Sequence, residues 1–297
     1  MKIKTRRYYL YYLARVGGFL LAILPLRVGL FLAGLAGRIV FAVLRKPRNI
    51  TINNLKSAFP EKPDSEIRDI AGEVFVNLAR NGIELLNAYK LNKSNCDRWM
   101  KAEGVEKLDK VLEKGKGAIM LASHFGNWEL ISFYFLLRGH KGTVIAKRIY
   151  FERYNKFINR VRQAKNLGII YRDESPKKIL RLLRKNELIG VLADQDVDSV
   201  DGVFVDFFGK KAYTPKGPVA LSLASGAALV PCFIIRDGWT NRLVVEDPIE
   251  PVMKESKEET IRFNTQRWSD LIESYIRKYP GHWVWMHRRW KTRPVSG

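Results

Sequence analysis

With 297 residues, 46% of them apolar and 11% aromatic, the chain is long enough to bury a full core and too apolar to be disordered. Charge is the outlier: 52 Lys and Arg stand against 30 Asp and Glu, a net +22, which favours an anionic bilayer, a phosphorylated substrate or nucleic acid as partner. Nucleic acid is disfavoured, because the basic residues are scattered and no zinc-finger or Gly-aromatic RNA-binding pattern occurs. Two cysteines, Cys96 and Cys232, make no disulfide framework. Four dispersed histidines suggest no metal cluster, so neither a metal nor a cofactor is expected.

Residues 8–44 are strongly apolar, interrupted by Arg15, Arg27 and Arg38 and broken at Pro25. Neither half reaches the roughly 20 uninterrupted apolar residues of a clear membrane span. At helical spacing Arg27, Arg38 and Arg45 share one stripe beside Gly34, as in a helix lying in a bilayer interface with its arginines at phosphate level. Lys2, Lys4, Arg6 and Arg7 before the run, and Arg45, Lys46 and Arg48 after it, make both flanks basic. Two short helices with both ends cytoplasmic satisfy that pattern better than one crossing. The competing reading is a buried helical pair of a soluble domain. The expected division is therefore a membrane-anchoring segment, 1–46, and a single domain, 47–297.

In the body, Asp64-Ser65-Glu66 after Pro63 reads as a helix start, and Ile67, Ile70, Ala71, Val74, Phe75 and Leu78 continue it to about residue 88. Residues 105–116 suggest a second helix. Short apolar runs at 118–122, 143–146, 188–192 and 228–235 read as buried strands, with helical patterns at 176–184 and 216–224 between them. This alternation predicts an α/β fold with a largely parallel central sheet covered by helices.

The strand ending at Ala122 runs into Ser123-His124-Phe125-Gly126-Asn127-Trp128-Glu129. Open α/β sheets bind ligands beyond the carboxyl ends of their strands, so His124 is placed for chemistry. Gly126-Asn127 permits a tight turn before a helix near Trp128. Glu129 can reach the imidazole only across that turn, where a carboxylate would fix the tautomer and leave the other nitrogen as general base. Ser123 lacks the G-x-S-x-G elbow of a nucleophile, which favours direct attack by a hydroxyl that His124 deprotonates.

The His-x4-Glu motif after a strand resembles the lysophospholipid acyltransferase superfamily, and its setting resembles the lipid A biosynthesis (lauroyl/myristoyl) acyltransferase branch. Asn54-Leu55-Lys56-Ser57-Ala58-Phe59-Pro60-Glu61, Asp194-Gln195-Asp196, Phe208-Gly209, the run 217–231 and the segment from Trp285 to Pro294 match further blocks of that branch in order. The resemblance implies a glycerolipid-acyltransferase-like fold and His124 with Glu129 as catalytic dyad. It also implies an acyl-carrier-protein thioester as donor, a phosphorylated glycolipid acceptor such as a lipid A precursor, and a place on the cytoplasmic face of a bacterial inner membrane. Ser123, Glu129 and the Asp-Gln-Asp block depart from the glycerol-phosphate enzymes of the superfamily. Mannoside-lipid acyltransferases are also similar, which keeps a mannosylated phospholipid or a lysophospholipid open as acceptor. A silent basic lipid- or nucleic-acid-binding protein on the same fold is the alternative from another class.

Arg148 and Arg162 are candidates for substrate phosphate or oxyanion binding, against a solvated basic surface. Asp194 and Asp196 are candidates to orient a sugar hydroxyl or hold an arginine, against loop capping. Asn127 and Lys210 complete the expected substrate-binding set, Lys210 lying in an amphiphilic loop suited to headgroups or an acidic carrier. Trp283-Val284-Trp285 alternates like a strand packed into the core.

Overall fold

The computed structural model describes residues 6–197 and 199–294, which leaves Lys2 and Lys4 of the basic flank outside it. The apolar run forms two helices, α1 (Arg6–Ile23) and α2 (Leu26–Val43), divided at Pro25, which has no N–H to continue the ladder. Helices α3 (Arg45–Ala58) and α4 (Asp64–Asn87) follow. By length and composition α2 could cross a membrane, with a mean hydropathy of 1.8 and only 28% of it buried. Its buried side is Gly29, Leu30, Ala33, Gly34 and Gly37, packed on α4. A Cβ on Gly37 would stand 2.7 Å from the Val76 Cα, so glycine sets how closely the two helices approach. The opposite side exposes Val28, Phe31, Leu35, Ile39 and Val43. Arg27 and Arg38 lie on α2, but the chain leaves that helix at Leu44 and Arg45 opens α3, so the expected arginine stripe is shorter by one member.

The body continues through α5 (Cys96–Trp99), β1 (Met100–Glu103), α6 (Val105–Leu112), β2 (Ala118–Ala122), α7 (Trp128–Leu137), β3 (Gly142–Ala146), α8 (Glu152–Gln163) and β4 (Gly168–Tyr171). It ends with α9 (Pro176–Leu183), β5 (Leu188–Leu192), β6 (Gly202–Phe207), β7 (Lys210–Pro215), α10 (Gly217–Ser225), β8 (Ala228–Asp237), β9 (Thr240–Val245) and α11 (Lys257–Lys278). Seven strands form one sheet in the order β1-β9-β8-β2-β5-β3-β4, and β6 and β7 make a separate antiparallel hairpin. Every pairing in the large sheet is parallel except β8 with β9. The expected largely parallel α/β sheet is present, with β9 and β1 reversed at one edge.

Strand alternation divides the core. Ile119 and Leu121 of β2 join Ile189, Leu229, Phe233, Trp268 and Ile272 on one face, while Ala118, Met120 and Ala122 join Leu130, Phe133, Val230 and Ile234 on the other. Trp283 and Trp285 are buried as expected, but not on a strand. Their segment bends, making a single bridge from Trp283 to Phe125, because the rings fill the core beside Phe207 and Phe208 without any ladder. Strands β2, β5, β3 and β4 are neighbours and point the same way, so the loops after them converge on one edge.

Candidate active site

Loop 123–127 leaves the carboxyl end of β2 and turns at Gly126, whose φ of +56° suits glycine. A Cβ there would lie 1.8 Å from the Ile234 carbonyl oxygen, so a side chain cannot be accommodated without moving β8. The turn is bolted from below. The Asn81 side chain donates to the Gly126 carbonyl at 2.7 Å, and the Gly126 N–H donates to the His282 carbonyl at 2.9 Å. Asn127 Nδ2 donates to Glu84 at 2.7 Å. Glu84, itself buried, also accepts two bonds from Arg236 at 2.8 and 2.9 Å and one from Asn241 at 2.9 Å. Asn127, expected among the substrate-binding residues, does not line the cavity described below and is bonded to α4 instead. Its side chain is 3% exposed and spent on α4.

His124 lines a cavity of about 630 Å³ at this edge. The carboxylate on its ring is that of Asp194, just beyond β5. Asp194 Oδ1 lies 2.8 Å from His124 Nδ1, while Oδ2 accepts from the His124 backbone N–H and from Trp283 Nε1, each at 2.8 Å. Burial opposes a charge on Asp194, but the neighbouring imidazole and these donors hold its carboxyl below the usual range. An ionised carboxylate only accepts, so the proton of a neutral His124 belongs on Nδ1 and Nε2 is left as the basic atom. The edge of Trp128 closes one side of the ring, 5.0 Å away between centroids. Ser123 is buried, its Oγ has no partner among the described residues, and it is not part of the cavity wall.

Glu129 lines the same cavity but has a different partner. Both of its oxygens are taken by Arg162, at 3.0 Å from Nε and 2.6 Å from a terminal nitrogen. The expectation that Glu129 fixes the imidazole tautomer is thus corrected. The first turn of α7 turns its side chain to the arginine of α8, while Asp194 occupies Nδ1. Arg162 stands in the cavity wall as expected, with its charge matched. Arg148 does not line the cavity: it is exposed, pairs with Asp173 at 3.3 Å and stacks 3.8 Å over the Tyr171 ring. Lys210 is also remote from it, donating to Ser57 Oγ. Asp196 lies in the wall, fully buried, but its carboxylate is spent on the backbone and hydroxyl of Thr292, both at 2.8 Å. That is the capping alternative. Asp194 likewise holds the histidine and Trp283.

Reading the sequence alone misses several groups. Trp283, His287 and Thr292 of the C-terminal block each bond the Asp194–Asp196 loop, and Asn54 of α3 ties that block down through the Trp285 and His287 carbonyls, each at 2.8 Å. The distant sequence blocks thus meet around one loop. Glu84 and Asn81 carried a readable signal, since polar residues recur along the otherwise apolar face of α4 at Asn77, Asn81, Glu84 and Asn87. Arg172 and Lys147, which line the cavity, carried none beyond following a strand.

The family model for bacterial lipid A biosynthesis acyltransferases matches residues 1–292. The lipid A biosynthesis palmitoleoyltransferase of Escherichia coli K12 is 26% identical over 280 residues, covering 92% of this chain and 88% of that protein. The lauroyltransferase of the same organism is 27% identical, covering 87% and 83%. A phosphatidylinositol mannoside acyltransferase of Mycolicibacterium smegmatis is 25% identical, covering 77% and 75%. With its parallel sheet and a carboxylate-held histidine at the sheet's open edge, the chain belongs to the bacterial lipid A biosynthesis acyltransferase family.

Proposed function

We propose that the protein transfers a fatty acyl group from an acyl-carrier-protein thioester to a hydroxyl of a membrane glycolipid, a lipid A precursor being the acceptor the relatives suggest. The observation that carries this reading is the His124–Asp194 pair at the head of the cavity. Nε2 of His124 takes the proton of the acceptor hydroxyl as its oxygen attacks the thioester carbonyl. Asp194 stabilises the imidazolium so formed. When the tetrahedral intermediate collapses, the C–S bond breaks and the imidazolium returns the proton to the leaving thiolate. Arg162, held in the wall by Glu129, supplies positive potential for the oxyanion.

The mannoside relatives support a second acceptor, a mannosylated phospholipid, for the same chemistry. Contact with a membrane is supported by the exposed apolar side of α2 and by the way α1 meets the cavity rim; the cytoplasmic face of the inner membrane goes with the proposed acyl-carrier-protein donor. The Tyr11 ring packs edge-on against Phe151 and Tyr154, with centroids 5.6 and 5.1 Å away, beside Ile149 and Asn155 of the cavity wall.

The test is transfer by purified protein from acyl-carrier-protein thioester to lipid A precursor and to mannosylated phospholipid. His124→Ala should lose at least ~100-fold, the low end for a general base. Undiminished transfer by that variant would remove the mechanism.

A further inference from the structure

The cavity wall contains a pair of cations to which the transfer chemistry above assigns no task. Lys147 follows β3 and Arg172 follows β4, and both line the cavity. The two strands are parallel, with Ala146 opposite Tyr171, and the Arg172 N–H donates to the Ala146 carbonyl at 3.0 Å. The two side chains therefore leave adjacent strands at the same level, which is about 4.8 Å of strand spacing apart at the backbone.

Among the described residues, neither side chain makes a hydrogen bond or an ion pair. Among the described residues, the carboxylates of the wall are committed elsewhere: Glu129 to Arg162, and Asp196 to Thr292. Asp194, behind the wall, is committed to His124 and Trp283. Arg172 is half-buried; burial holds its guanidinium below the usual range, partly offset by Asp194. A partly desolvated cation without a partner is a cost that a bound anion relieves.

We propose that Lys147 and Arg172 together form a receptor for a substrate phosphate group in the cavity. The arginine offers a planar fork for two phosphate oxygens and the lysine a mobile point charge, a pair that suits a phosphomonoester or a phosphodiester. The proposal deepens the transfer reading and rests on it for the identity of the substrate. The phosphate has two potential sources, the glycolipid headgroup and the phosphate-bearing arm of a carried thioester.

The probe is inorganic pyrophosphate, which should raise the melting temperature of the wild-type protein in detergent and leave that of Arg172→Gln and Lys147→Gln unmoved. Lys147 is exposed, so its variant removes one cation without disturbing packing. In kinetics, each variant should lose about 10–100-fold in kcat/KM, mostly through KM, for the phosphate-bearing substrate of a matched pair. The acceptor pair is phosphorylated against dephosphorylated glycolipid. The donor pair is acyl-carrier protein against the phosphate-free acyl-N-acetylcysteamine. The pair whose discrimination collapses identifies the source, and Arg172→Lys should restore part of it. Equal stabilisation of variants and wild type by pyrophosphate, with unchanged discrimination in both pairs, would overturn the receptor. Arg172-dependent stabilisation in a protein that transfers no acyl group would uphold the receptor and remove the transfer reading instead.

Discussion

An imidazole serves as a base only while its proton sits on the other nitrogen, and at His124 that proton is directed by Asp194 at 2.8 Å. Replacing Asp194 by Asn would place an amide where the ring expects an acceptor. The Nε2-protonated tautomer would then compete, and transfer should fall by about 10²–10⁴ with little change in KM. Glu129→Gln keeps the shape of its side chain but breaks the charge match with Arg162, so its loss should be smaller and should fall with the charge of the wall. Steady-state rates of the two variants decide the ranking. A silent Asp194→Asn beside a dead Glu129→Gln would return the imidazole to the carboxylate of its own motif. The place of His124 was legible because the apolar run ending at Ala122 reads as a buried strand, and its role was suggested by the resemblance of HFGNWE to an acyltransferase motif. Its partner was not legible. Asp194 lies 70 positions downstream, and only the register of β2 beside β5, with Ala122 opposite Leu192, brings the two loops together.

At the scale of elements, α4 does more than cover the sheet. Its buried polar row, Asn81 and Glu84, fixes the turn that presents His124, and Glu84 is satisfied by Arg236, Asn127 and Asn241 together. Breaking one partner of a buried ion pair strands the other charge, which costs about 3–5 kcal/mol. Glu84→Gln should therefore lower unfolding stability by about that much and reduce transfer as the turn loosens. Glu103→Gln, which breaks an exposed pair with Arg242, should change stability by less than about 1 kcal/mol. Denaturant unfolding of both variants checks this, and equal stabilities would deny the network its structural role. Strands β2 and β8 and helix α4 were readable from their apolar patterns because they are buried as the patterns require, and β5 because its apolar run is at least half-buried throughout. Strand β9, which opens Thr240-Asn241-Arg242, and the β6–β7 hairpin mix polar and apolar positions. Helices α3 and α11 are polar overall, yet α11 carries a readable signal absent from the expected elements: Ser256 caps it, Glu258 and Glu259 open it, and Ile261, Trp268, Ile272 and Ile276 recur on its buried side.

The whole molecule combines a net charge of +22 with an apolar surface concentrated on α1 and α2, where Leu13, Phe19, Ile23, Phe31, Ile39 and Val43 are exposed. These two features respond differently to salt. Long-range attraction to anionic headgroups is screened over about 8 Å at physiological ionic strength, whereas burial of apolar side chains in acyl chains is not. Binding to vesicles containing anionic phospholipid should therefore weaken with added salt yet keep a salt-resistant fraction. That fraction should also persist on neutral vesicles. Replacing Phe31, Ile39 and Val43 together by Ser alters only the exposed side of α2 and spares the Gly29-Ala33-Gly37 face that packs on α4. The triple variant should keep its melting temperature and lose much of the salt-resistant fraction, Leu13, Phe19 and Ile23 of α1 holding the remainder, while retaining the screened one. Co-sedimentation with vesicles across a salt series reads both components. If salt alone strips the wild-type protein completely, the apolar face of α2 is not embedded, and attraction between charges is then all that holds the protein at the surface.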